Sequence, residues 1–142
     1  MDHVAILASS LKLLPQILSG KKSIESRWTK TRRAPYKQIH AGEVIYFKES
    51  GRPITACGCV KDVLFYEFSN EVERRAVFAR YQTALGVEES YFEQISQSRY
   101  CTLIFLEKVQ AIVPFEINKK GYGLMAAWIT VDSIDTIRIP VK

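Results

Sequence analysis

Histidine is scarce in this chain of 142 residues: it occurs as His3 and His40, far apart in sequence. Cysteine occurs three times, as Cys57, Cys59 and Cys101. A tetrahedral zinc site takes about four nitrogen or sulfur ligands. No metal centre is therefore expected, and no cofactor. The odd cysteine count, with a C-x-C spacing inside an apolar run, argues for small core thiols rather than a disulfide framework. Strand alternation would put Cys57 and Cys59 on one buried face. No apolar run approaches the roughly 20 residues that a membrane-spanning helix needs, so no membrane association is expected. The opening Met1-Asp2-His3-Val4 has an acid where a signal peptide wants bases. A cytoplasmic protein is the expectation. Repeats, low-complexity stretches and linkers are also missing, and the length suits one domain over residues 1-142.

Positive charge is present and unevenly placed. The chain carries 20 bases and 15 acids, a net +5. Residues 20–48 hold Lys21, Lys22, Arg27, Lys30, Arg32, Arg33, Lys37 and Lys48 against Glu25 and Glu43 alone. The rest of the chain is therefore slightly acidic. Concentrated positive charge is the footprint of a phosphate-bearing partner; a solubilising loop is the plainer alternative.

The densest part is Gly20-Lys21-Lys22-Ser23-Ile24-Glu25-Ser26-Arg27-Trp28. An apolar helical run precedes it, with Leu11, Leu14 and Leu18 at helical spacing, Pro15 in the first turn, and Ser9 or Ser10 as cap. Gly20 ends that helix, because a left-handed cap costs glycine little. In the strand that follows, Glu25 and Arg27 share one face; Ile24, Ser26 and Trp28 share the other. An exposed edge strand with weak surface ion pairs is the plainer alternative.

The remaining pattern is dominated by strands. Residues 4–8 form a short buried strand, and residues 29–42 a basic loop with one aromatic, Tyr36. Residues 43–47 and 54–60 form strands about a turn, the second continuing extended to residue 68. Gly58 marks a bulge or a close backbone approach. Asn70 with Glu73 signals a helix start, with Val72, Ala76 and Ala79 on one face, extended by Phe78, Tyr81 and Leu85. Arg74, Arg75 and Arg80 fall on its solvated face. A second helix spans about residues 88–97, anchored by Tyr91, Phe92 and Ile95. Residues 100–113 form a central strand that Pro114 interrupts, and residues 124–131 and 134–141 form the last two. The fold class is α+β and strand-dominated: a small barrel with about three short flanking helices.

Gly20-x-Lys22-x-x-Glu25-x-Arg27 resembles the G-x-K-x-x-E-x-R signature of the ASCH domain family, within the PUA-like superfamily of small β-barrels. The order of elements agrees over essentially the whole chain. The resemblance implies a cleft lined by Gly20, Lys22, Glu25 and Arg27, and binding of RNA or a nucleotide. Lysine supplies a mobile charge for phosphate, and arginine a planar fork for phosphate or a base edge. Glutamate can accept from a base amino group. An unpaired base also wants aromatic faces and nearby cations. Trp28, Tyr36, Tyr122 and Trp128 are the aromatic candidates; Arg32, Arg33 and Lys37 are the further basic ones.

Two other functions fit the same residues. Some relatives resemble amidohydrolases of acylated pyrimidine nucleosides, using a lysine, a threonine nucleophile and a glutamate; ribonuclease activity is also proposed for some relatives. Lys22 matches the lysine, but Glu25 stands where the threonine would be, and Ser26 faces the other way. As an enzyme, this chain would use Lys22 and Glu25 as acid and base. ASCH domains also occur in transcriptional coregulators, so a protein partner is the third reading.

Overall fold

The computed structural model describes residues 1–123 and 126–140. Six strands form one sheet: β1 (Asp2–Leu7), β2 (Ile24–Thr29), β3 (Val44–Glu49), β4 (Ile54–Glu67), β5 (Tyr100–Phe115) and β6 (Trp128–Val131). The helices are α1 (Leu13–Ser19), α2 (Glu71–Leu85) and α3 (Tyr91–Gln94). Strand order is β2-β5-β4-β3-β1-β6, with β1 parallel to β3 and every other pair antiparallel.

The two sheet edges, β2 and β6, do not pair with each other. They are nonetheless close, because Arg27 of β2 donates to the carbonyls of Ile6 and Ala127 at 3.3 and 3.0 Å. An edge-to-edge contact of this kind requires the sheet to curl. The result is a half-barrel with an open seam between β2 and the β1–β6 edge.

Alternation along β1 explains its place in the middle of the core. Ala5 and Leu7 point to one side, where they meet Phe47, Ile104 and the apolar face of α1 (Leu13, Leu14, Ile17). Val4 and Ile6 point to the other, against Ile54, Phe115, Ile129 and the C-terminal segment. On β2 and β5, Ile24, Cys101 and Leu103 pack against α2 through Leu85. Asn70 caps α2 by accepting from the Glu73 N–H at 2.9 Å, and Gly86 ends it at φ +71°.

Several expectations need correction. Neither Ser9 nor Ser10 caps α1: these residues form a 3₁₀ turn, and Lys12 at φ 51° precedes the helix without a side-chain cap. Val72, Ala76 and Ala79 are exposed on α2; its buried residues are Phe78 and Leu85. Arg74 is not on a solvated face, since it is half-buried and donates to the Ser98 carbonyl at 3.2 Å. The second helix is one turn long. Cys57 and Cys59 are half-buried, because Ala56, Gly58 and Val60 take the inward face of β4.

Pro114 does not interrupt β5. It lies where the β4–β5 register slips, between Ala111 and Phe115, and β2 pairs with β5 only up to Phe105. No ladder donor is needed there, so proline is tolerated. The expected strand over residues 124–131 is observed as Trp128–Val131; Leu124 and Met125 lie outside the described residues. Residues 134–141 do not form a strand: Ile134–Thr136 is a 3₁₀ turn, followed by one bridge between Ile117 and Arg138, and Val141 lies outside the described residues. Among the described residues, no helix is long and apolar enough to cross a membrane.

Candidate functional site

The seam gathers the charged half of β2. Strand alternation turns Glu25 and Arg27 toward it, while Trp28 turns inward, stacked on Phe68 at 6.0 Å and edge-on to Phe78 at 6.3 Å. The Trp28 indole N–H donates to Ser26 Oγ at 2.8 Å. Ser26 and Trp28 therefore share a face, as alternation requires.

A cavity of about 300 Å³ opens at the seam, walled by Glu25, Arg27, Tyr91 and the apolar Leu7, Leu11 and Leu13. That is the lower end of the size range for small-ligand sites. Glu25 is only 2 % exposed. One of its oxygens accepts from the Ser26 N–H at 2.8 Å. The other, Oε2, has no hydrogen-bond partner among the described residues, and the nearest Arg27 nitrogen is 3.8 Å away. Arg27 Nε is likewise buried and unpaired. Leaving a buried carboxylate oxygen unmatched costs free energy, so a donor that reached this oxygen would be held favourably. The Tyr91 phenol faces the same space; burial and then the Glu25 charge push its pKa up, with Arg27 opposing.

Lys22 is placed differently from the expectation of a mobile charge. It is 2 % exposed. Its ammonium donates to the carbonyls of Ile24 at 2.8 Å and Leu85 at 2.6 Å. Leu85 is the last residue of α2, so Lys22 satisfies a carbonyl that the helix leaves unpaired and puts a cation at its negative end. Burial holds its pKa below the ordinary lysine value, Glu25 pulling the other way and Arg27 adding to the depression. Gly20, at φ +82°, ends α1 just before this buried lysine.

The other candidates divide into two groups. Arg33 and Trp128 line a second groove of about 400 Å³ that shares Arg27, Trp28 and Ala127 with the seam cavity. The Arg27 guanidinium lies 5.1 Å from the centre of the Trp128 ring. Tyr36 is buried edge-on to Phe65 and Tyr100, and Lys37 sits over Phe65 at 5.1 Å. Arg32 pairs with Glu67 at 3.2 Å on the surface and covers the Tyr100 ring at 5.5 Å. Tyr122 is exposed and is not among the residues that wall the seam cavity. Arg27, Trp28, Arg33 and Trp128 thus come together, while Tyr36, Lys37 and Arg32 form a neighbouring aromatic and basic shoulder.

Sequence reasoning did not single out Tyr91 or His3 as parts of this region. His3 is fully buried behind Trp128. The Trp128 indole N–H donates to His3 Nδ1 at 3.2 Å. Indole nitrogen is a donor only, so Nδ1 accepts and Nε2 carries the proton, donating to Glu43 at 2.8 Å. No spacing in the sequence links His3 to Trp128, because 125 residues separate them. Among the described residues, no cluster of three or more histidine, cysteine or acidic side chains is placed to hold a metal.

This curled, strand-dominated half-barrel has the fold of ASCH domain proteins. The chain superposes on the crystal structure of ASCH from Zymomonas mobilis with a TM-score of 0.70, over 95% of this chain and 90% of that one, at 16% identity. A tyrosine-to-phenylalanine variant of that protein gives 0.70 at 16% identity, over 95% and 93%. A serine-to-alanine variant gives 0.70 at 17%, over 95% and 91%. No family model matches the sequence, and neither does any curated protein.

Proposed function

We propose that this chain, acting as one domain in the cytoplasm, binds RNA or a nucleotide at the seam of the half-barrel. The observation that carries the reading is the buried, unmatched oxygen of Glu25 in a cavity rimmed by Arg27. A carboxylate accepts only, so it selects a ligand with N–H donors, as the Watson–Crick edges of cytosine, guanine and adenine have. Phosphate is repelled by Glu25 and drawn to the guanidinium group of Arg27 on the rim, with Arg33 in the adjoining groove. Base inward and phosphate outward is the orientation this charge order favours.

The hydrolase reading has less support. The Lys22 ammonium is engaged by two carbonyls, and the Ser26 hydroxyl is held by the Trp28 indole. Neither is a free nucleophile or base beside Glu25.

Equilibrium titration with nucleoside monophosphates and short single-stranded RNA tests the proposal. Binding should weaken steeply as salt rises, through counterion release. Glu25→Gln should lower affinity about tenfold, the size of one lost charge-assisted hydrogen bond, while the Ser26 N–H keeps its acceptor and the melting temperature hardly moves. No binding to either probe, or affinity indifferent to Glu25→Gln, rejects the reading. Turnover of RNA or of an acylated nucleoside by the pure protein would transfer it to the hydrolase, and a partner captured after nuclease treatment to a protein-interaction role.

A further inference from the structure

Two polar groups in the wall of the seam cavity are held in place and left without partners. Arg27 is anchored at both terminal nitrogens, which donate to the carbonyls of Ala127 and Ile6. Its Nε is buried and unpaired among the described residues. Glu25 is anchored at Oε1 by the Ser26 N–H, and its Oε2 is buried and unpaired among the described residues. Oε2 is the oxygen toward Arg27, 3.8 Å from the nearest guanidinium nitrogen. An arginine N–H only donates, and an ionised carboxylate only accepts, with about two lone pairs on each oxygen. Oε1 therefore keeps accepting capacity beside Oε2. Read from Arg27 to Glu25, the wall offers one donor and then two acceptors. These two residues are the charged side chains of the cavity lining. A second space of about 210 Å³ adjoins the cavity, sharing Leu11, Leu13 and Tyr91 with it. The two together have room for a two-ring base.

We propose that the seam cavity selects guanine among the four bases, through Arg27 Nε and the Glu25 carboxylate. This rests on the reading of the cavity as a base site and names the base that occupies it. The Watson–Crick edge of guanine presents O6 as an acceptor, then N1–H and N2–H as donors. That is the complement of one donor followed by two acceptors. O6 takes the Arg27 Nε–H, and the two N–H groups go to Glu25. Cytosine runs the other way, with one donor at N4 and acceptors at N3 and O2. In either orientation its N3 lone pair faces the carboxylate. Adenine has the same fault at N1. Uracil flanks its single N3–H with two carbonyls, so one of them meets a carboxylate oxygen. Each wrong base leaves a buried polar group unmatched or opposed, and such mismatches cost more than the right contact gains.

The test measures equilibrium binding of guanosine, adenosine, cytidine and uridine monophosphates at one salt concentration. Inosine monophosphate, which is the guanosine nucleotide without its 2-amino group, is added to the set. Guanosine monophosphate should bind about tenfold or more tightly than the other three, the discrimination of one bidentate base contact. Inosine monophosphate should fall between, having lost one of the two donors to Glu25. In Glu25→Gln the amide oxygen keeps the Ser26 N–H, so the amide N–H group takes the place of Oε2 and meets the guanine donors. The guanosine nucleotide should then lose about tenfold, and the adenosine and cytidine nucleotides should not. The inosine comparison needs no variant, so it decides the matter even if Glu25→Gln fails to fold. Equal affinity for the four bases, inosine bound as tightly as guanosine, or a Glu25→Gln loss shared by every nucleotide overturns guanine selection while leaving the base site standing. Failure of every nucleotide to bind overturns both.

Discussion

Lys22 and Arg27 are two cations of one short motif, and they do opposite work. Lys22 is turned inward and spends its ammonium on two backbone carbonyls, one of them the open end of α2. Arg27 spans the seam to Ile6 and Ala127, keeps one nitrogen unpaired among the described residues, and rests on Trp128 at the rim. Residue type alone does not distinguish a strut from a cavity-lining group. What separates them is what each side chain can reach: Lys22 leaves a turn against a helix terminus, whereas Arg27 projects from a free sheet edge across a gap.

The largest expected effect breaks the strut. Lys22→Ala removes two charge-assisted hydrogen bonds and opens a buried void, and should cost about 3 kcal/mol in chemical denaturation. A loss no larger than that of an exposed lysine would place Lys22 among the surface charges.

A smaller effect should follow from crowding the same junction. Gly86 sits at φ +71°, and a Cβ there would lie 2.6 Å from Gln16 Oε1 and 3.1 Å from Lys22 Cβ. Gly86→Ala should cost about 1.5 kcal/mol through backbone strain and displacement of Lys22. The melting temperature checks it.

The smallest effect probes the wall behind Arg27. Burial, foremost, lowers the pKa of His3 from 6.5, with its Glu43 hydrogen bond opposing. The groups facing it are Glu43, the N-terminus, Asp2, Trp128 and Thr130. Below pH 6.5 the unfolded chain takes up a proton at this position that the folded one refuses. Stability should therefore fall as the solution is acidified below pH 6.5, until the folded-state pKa is passed. Glu43 acts lower in pH. Burial pushes its carboxyl up, but hydrogen bonds from His3 and the His40 N–H outweigh that and hold it below 4.5. The His3 effect is thus read between about pH 4.5 and 6.5, and His3→Gln should flatten it.

Much of the fold was legible because it is local. Alternation placed Glu25 with Arg27 and Ser26 with Trp28. Gly20, Gly86 and Asn70 marked helix ends by their backbone and side-chain chemistry. Gly58 was expected at a bulge or a close approach, and both occur: the register slips between Cys57 and Cys59, and a Cβ at Gly58 would meet Val109 at 3.0 Å. The misread parts depended on distant neighbours. Helix α2 has little amphipathic contrast, so Val72, Ala76 and Ala79 passed for a core face until the position of β2 decided otherwise. Pro114 read as a stop because nothing local reveals that β5 lacks a partner on one side there.

From the sequence alone came the strand-dominated class, the clustering of positive charge between residues 20 and 48, and the faces on which the motif residues lie. These follow from backbone periodicity and from charge counted along the chain. The tertiary structure alone decided that Lys22 closes a helix 63 residues away, that one Glu25 oxygen is buried without a partner among the described residues, and that two tryptophans line one groove. Each depends on how the sheet curls to bring its free edges together, a geometry set by packing between elements distant in sequence.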